Sequence, residues 1–87
     1  MGLDTVEMIV LVEDTFGIQI KDEDAENIAT VGQLIDHVHG KLKDRPSYRK
    51  RRDLVKEIVI RIISEISGIP VRDIKPWHSF TRDLGMD

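Results

Sequence analysis

Apolar residues recur along this chain with helical spacing in three long stretches. Residues 3–16 contain no proline and no glycine, and Met8, Ile9, Val12 and Phe16 share one face at about 100° per residue. The run closes at Gly17, a residue suited to the left-handed position past a helix end, and Asp4 and Glu7 near its start suit the helix dipole. A loop over 17–21 carries Ile18 and Ile20. Asp22 is a candidate cap for a short helix to about residue 28, with Ala25 and Ile28 facing inward. Thr30 is a candidate N-cap for a helix over 31–42, whose apolar positions Val31, Leu34, Ile35, Val38 and Leu42 keep the i, i+3, i+4, i+7 pattern.

The strongest pattern lies at 53–67, with a start as early as Tyr48. Leu54, Val55, Ile58, Ile62 and Ile66 form one stripe, widened by Val59 and Ile63. Gly68 supplies the stop and Pro70 follows it. Residues 43–50 are polar, contain Pro46 and read as a linker. Residues 69–87 read as an extended loop with a turn of helix at 71–74, anchored on the core by Ile69, Ile74, Trp77, Phe80 and Leu84. There is no strand alternation and no internal repeat. The expected fold class is all-α: a single domain over 1–87, built as a small bundle of three longer helices and one short one.

Composition narrows the chemistry. The chain has 87 residues, 40% hydrophobic and 33% charged, which suits one folded core. It has no cysteine, so thiol catalysis and thiolate metal sites are excluded. No apolar run approaches the roughly 20 residues of a membrane span, and the first residues lack a basic-then-apolar signal, so the expected address is cytoplasmic. The net charge of −3 hides an asymmetry: residues 1–40 carry nine acids and one base, whereas residues 41–87 carry twelve bases and seven acids. The acidic half favours basic protein partners over nucleic acid. The basic surplus peaks at Arg49-Lys50-Arg51-Arg52.

Leu3, Val6 and Val10 lie on the first helix opposite its core side, interleaved with Glu7 and Asp14. Either the linker or the long loop covers them, or they form a binding face of apolar anchors ringed by carboxylates. The clustering of acids there favours the binding face. Catalytic patterns are missing: no nucleophile elbow, phosphate loop, dinucleotide fingerprint or zinc-helix motif is present. His37 and His39, two apart, point to different helix faces and read as solvated histidines, not a metal pair. Asp22-Glu23-Asp24 lacks the glycine and distal glutamate of a calcium loop. Trp77 and Phe80 read as core plugs. On chemistry alone the chain is an interaction module and not an enzyme, with no metal site. A small nucleic-acid binder using Tyr48 to Arg52 is a minor alternative.

Two longer stretches carry a resemblance. Residues 3–42, from Leu3-Asp4-Thr5-Val6-Glu7-Met8 through Phe16, Ile20 and Asp22-Glu23-Asp24-Ala25-Glu26-Asn27-Ile28 to Thr30-Val31 and Ile35-Asp36, resemble the second half of a bacterial acyl carrier protein. Residues 53–87, a helix ending at Gly68 and then Ser79-Phe80-Thr81-Arg82-Asp83-Leu84-Gly85-Met86-Asp87, resemble the first half of the same family. The order is reversed, so the chain looks like a circular permutant: residues 3–42 supply the family's helices 2–4, residues 43–50 the join, and residues 51–87 its first helix and long loop.

In the family a serine between Asp and Leu carries 4′-phosphopantetheine. Gly2 stands at that position, flanked by Leu3 and, across the permuted junction, by Asp87. The resemblance therefore implies a docking-competent module of fatty acid or polyketide biosynthesis that is not chargeable and takes no cofactor itself. Its alternative is a non-carrying scaffold, or an engineered folding-topology variant of the same fold. By matching position the partner-binding residues are Asp4, Val6, Glu7, Val10, Glu13 and Asp14, facing basic surfaces of acyl-transfer or synthesis enzymes. The implied acyl pocket is Met8, Val12, Phe16, Ile20, Ala25, Ile28, Leu34, Ile58 and Ile62. The expected assembly is a monomer or a domain-swapped dimer, with no nucleic acid and no membrane partner.

Overall fold

A computed structural model describes residues 2–87. Five helices follow in order: α1 (Leu3–Phe16), α2 (Asp22–Asn27), α3 (Val31–Lys41), α4 (Pro46–Arg49) and α5 (Arg52–Ser67), with a 3-10 turn at Val71–Asp73. Among the described residues there is no strand, and an isolated bridge pairs Thr30 with Ser79. This is the expected small all-α bundle.

Each long helix starts and stops for local reasons. Thr30 caps α3 through a reciprocal box: its hydroxyl accepts from the Gln33 N–H while the Gln33 side chain accepts from the Thr30 N–H. Both α1 and α5 end at glycines in the left-handed region, Gly17 and Gly68. Lys21, not Asp22, is the N-cap of α2, and Asp22 occupies its first turn beside Glu23 and Asp24.

Packing centres on α5, which lies against both α1 and α3. Val55, Val59 and Ile63 are fully buried along it, with Ile60 and Ile62 nearly so. The buried arc is thus rotated from the sequence stripe, and Leu54, Ile58 and Ile66 sit at its half-buried margin. The reason is that α5 faces two partners, α1 and α3, which a single-stripe reading does not anticipate. Met8, Val12 and Phe16 of α1 and Val31, Leu34, Ile35, Val38 and Leu42 complete the core.

Segment 43–50 is more ordered than a plain linker. Pro46 opens α4, as proline does at a first helical position, and Lys50 and Arg51 separate α4 from α5. The Arg45 guanidinium donates to the carbonyls of Phe16 and, at 2.9 Å, Gly17, and so satisfies the orphan acceptors at the end of α1. The Tyr48 ring meets Phe16 edge-on at 5.7 Å. His39 Nε2 lies 2.9 Å from the Arg49 carbonyl oxygen. His39 is therefore engaged with α4, and His37 Nε2 is buried with no partner, so neither is a simply solvated histidine.

The long loop docks through Ile74, Phe80, Leu84 and Met86, all buried, while Ile69 packs at the edge of the core. Trp77 does not join them. It is 72% exposed, because its turn is pinned to the start of α3 by backbone bonds that leave the ring outside.

Two substitutions test this packing. Phe16→Ala removes a ring that is 2% exposed and should cost about 3–5 kcal/mol in urea denaturation followed by circular dichroism. Arg45→Ala should cost about 1 kcal/mol by loss of the charged donor at the end of α1. Arg45→Lys should recover only part of it, because one ammonium nitrogen on a flexible stem would have to serve two carbonyls that the guanidinium meets with separate nitrogens.

Candidate functional site

The start of α1 is where the two ends of the described chain meet. Gly2 is the N-cap, and its carbonyl accepts from the Val6 N–H at 3.1 Å. The Asp87 carbonyl accepts from the Thr5 N–H at 3.0 Å and from the Thr5 hydroxyl, whose Oγ1 lies 2.7 Å from it and 2.9 Å from the Gly2 carbonyl. Residue 87 thus meets one of the free donors of a first helical turn. The approach is close: a Cβ placed on Gly2 would lie 2.4 Å from the Asp87 carbonyl carbon. The glycine is what lets the two backbones touch.

A cavity of about 270 Å³ opens beside this seam. Met8, Ile9, Ile28 and Phe80 give it apolar walls, and Thr5, Glu26, Ser79, Thr81 and Asp87 contribute polar groups near Gly2. Of the nine pocket positions expected from sequence, Met8, Ala25 and Ile28 line it. Val12, Phe16, Ile20, Leu34 and Ile62 are buried in the core, and Ile58 is half-buried against it. The lining from 79–81 belongs to a segment far away in sequence. No local pattern points to it, since only the fold brings it beside α1 and α2.

The outer face of α1 is open. Leu3 is 84% exposed, Val6 45% and Val10 47%, so neither the linker nor the long loop covers them. Leu3, Val10, Asp14 and Glu7 fall within about 60° of one another around the helix, with Val6 adjacent. Glu7 and Asp14 are exposed and Asp4 is half-buried. Glu13 differs from its neighbours: its carboxylate accepts from the Ile20 N–H at 2.7 Å and ties the loop after α1 to the helix.

Comparison with known families falls on this half of the molecule. Residues 3–38 match the family model for the phosphopantetheine attachment site. No solved structure matches the chain. The family match covers α1, α2 and most of α3, and begins one residue after Gly2. It supports an acyl-carrier-like domain. The family carries 4′-phosphopantetheine, and its domains are carriers rather than catalysts.

The residues at the seam do not fit that group as a covalent adduct. Gly2 offers no hydroxyl, and the space a side chain would need there is taken by Asp87. Among the described residues no group of three or more acids or histidines is placed to hold a metal ion, and no helix is long and apolar enough to cross a membrane. The basic tract is partly spent within the chain. Arg52 pairs with Asp36 at 2.7 Å, and Arg51 grips Asp53 at 3.0 Å, holding that carboxyl below its usual range. Tyr48, the aromatic of the nucleic-acid alternative, is packed on Phe16 instead of being offered to a base.

The close approach makes a prediction whose sign is diagnostic. Serine is a better N-cap than glycine by a few tenths of a kcal/mol, so capping alone would make Gly2→Ser stabilising. The overlap with Asp87 should reverse this and lower the melting temperature. Thr5→Val should cost about 1 kcal/mol by removing the hydroxyl bonds at the seam, and should speed amide exchange in the first turn of α1.

Proposed function

We propose that this chain is a circularly permuted acyl-carrier-like module that docks on biosynthetic enzymes through the outer face of α1 and is not charged at Gly2. The observation that carries the reading is the seam. The Asp87 carbonyl sits on the Thr5 N–H, so Asp83-Leu84-Gly85-Met86-Asp87 runs in space into Leu3-Asp4, the order the family's motif has in one continuous chain. The reversed order of the halves is accommodated by segment 43–50, whose Arg45 and Tyr48 contact the end of α1 and whose Arg49 contacts His39 of α3. Those contacts favour a segment fitted to this fold over an inert tether.

On this reading Val6 and Val10, with Leu3, are the apolar anchors for a partner. Asp4, Glu7 and Asp14 supply the charge that basic enzyme surfaces recognise, and Glu13 shapes the end of the face from within. The cavity beside the seam is the candidate acyl site, reached from Gly2 and walled by Met8, Ala25, Ile28 and Phe80. A scaffold role without any cargo uses the same face and is favoured by the missing hydroxyl at Gly2. Fatty acid and polyketide enzymes are both compatible partners, and a cytoplasmic setting is consistent with that chemistry.

Two measurements test the reading. Incubation with a broad-specificity phosphopantetheinyl transferase and coenzyme A, followed by intact-mass analysis, should show no added phosphopantetheine. Uptake at any serine would overturn the uncharged assignment. Glu7→Lys should weaken binding to a basic acyl-transfer or ketosynthase partner on the order of tenfold at low salt, and much less at high salt. An unchanged affinity across such partners would remove α1 as the docking face.

A further inference from the structure

Among the described residues five large apolar side chains are exposed, and they fall into two groups: Leu3, Val6 and Val10 on α1, and Val71 and Trp77 on the long loop. The second group is unexplained by carrier docking. Trp77 is the chain's sole tryptophan, and a tryptophan 72% exposed is unusual in a folded domain.

Its turn is rigid. The His78 N–H donates to the Lys75 carbonyl at 3.0 Å, and the Lys75 N–H donates to His78 Nδ1 at 3.0 Å. On either side of Trp77 the chain is fixed to α3: the Gly32 N–H donates to the Pro76 carbonyl at 2.8 Å, and the Val31 N–H to the His78 carbonyl at 3.1 Å. Position 32 must be small for this, since a Cβ there would stand 3.0 Å from the Pro76 oxygen. The ring of His78 lies edge-on to the indole at 5.9 Å. An exposed aromatic held at the tip of a pinned turn loses little freedom on binding, which is how an interface anchor gains affinity.

The charge around the two groups is opposite. Arg72 and Lys75 are exposed beside the Trp77 turn, with the Lys75 ammonium 2.8 Å from the Arg72 carbonyl, and segment 70–78 stays positive by one unit after Asp73 is counted. The α1 strip is flanked by Asp4, Glu7 and Asp14. Among the described residues none of these five charges makes an ion pair.

We propose that the Trp77 turn of one molecule docks on the outer face of α1 of a second copy of this chain, with Trp77 against Leu3, Val6 and Val10 and with Arg72 and Lys75 toward the carboxylates. The contact joins different surfaces of the two copies, so each molecule has one of each to offer. It covers the same face of α1 that would receive an enzyme partner, so self-association and docking exclude one another.

Sedimentation velocity of the wild-type chain at low salt, from about 10 µM to 1 mM as befits a small interface, should show mass rising above the 10.0 kDa monomer, reversed by high salt. The tryptophan emission should shift to shorter wavelength over the same range. Trp77→Ala and Val6→Lys should each be monomeric throughout, with unchanged circular dichroism because both positions are exposed. Their equimolar mixture retains one good turn and one good α1 face, and should form a dimer of about 20 kDa and nothing larger. A wild-type chain monomeric at every concentration overturns the proposal, and so does a mixture that stays monomeric. Neither result touches enzyme docking, which is read by Glu7→Lys with the partner enzyme.

Discussion

Everything in this molecule depends on α5 being covered on two sides. Its arc of Val55, Val59, Ile60, Ile62 and Ile63 is too wide for one neighbour, and α1 and α3 together remove it from water. Burying side chains of this size is worth roughly 1.5–3 kcal/mol each before ordering costs, so in a chain of 87 residues this contact is a large favourable term. It also fixes which face of α1 points inward and therefore which face is left in solvent.

The constraint on the backbone is the seam at the start of α1. A helix N-terminus needs acceptors, and the Asp87 carbonyl is one, arriving from the far end of the described chain. The arrangement needs a residue without a side chain at position 2, and the same glycine denies the site a nucleophile. On the proposed carrier reading, fit at the junction and capacity for covalent loading are in conflict at one position. Segment 43–50 closes the opposite side, where Arg45 covers the carbonyls at the end of α1 and Tyr48 covers Phe16. Both ends of α1 are held by segments distant in sequence, which makes that helix a firm platform for its exposed residues.

Charge adds direction to the surface. Acids concentrate in the first forty residues and bases after them, yet two of the four consecutive bases at 49–52 are already paired, with Asp36 and Asp53. Among the charges that make no ion pair are the exposed carboxylates Glu7 and Asp14 on α1, and Arg72 and Lys75 near the Trp77 turn. The polarity seen in the sequence survives folding in a reduced and more localised form.

The sequence by itself determined the three long helices, because their signals are local, but it missed the short helix α4 within 43–50. Apolar periodicity marked α1, α3 and α5, Thr30 marked a cap, and Gly17 and Gly68 marked stops. It also determined the two faces of α1, since angular position around a helix follows from spacing alone. The family likeness of 3–38 was legible for the same reason, as a run of contiguous residues. Only the tertiary structure decided the rest. The rotation of the buried arc on α5, the cavity walled jointly by α1, α2 and 79–81, and the clasp of Arg45 depend on segments that meet through long-range packing. Trp77 makes the point most plainly. Composition argues for burying an indole, but the backbone bonds of its turn to α3 were worth satisfying first, and they leave the ring in water.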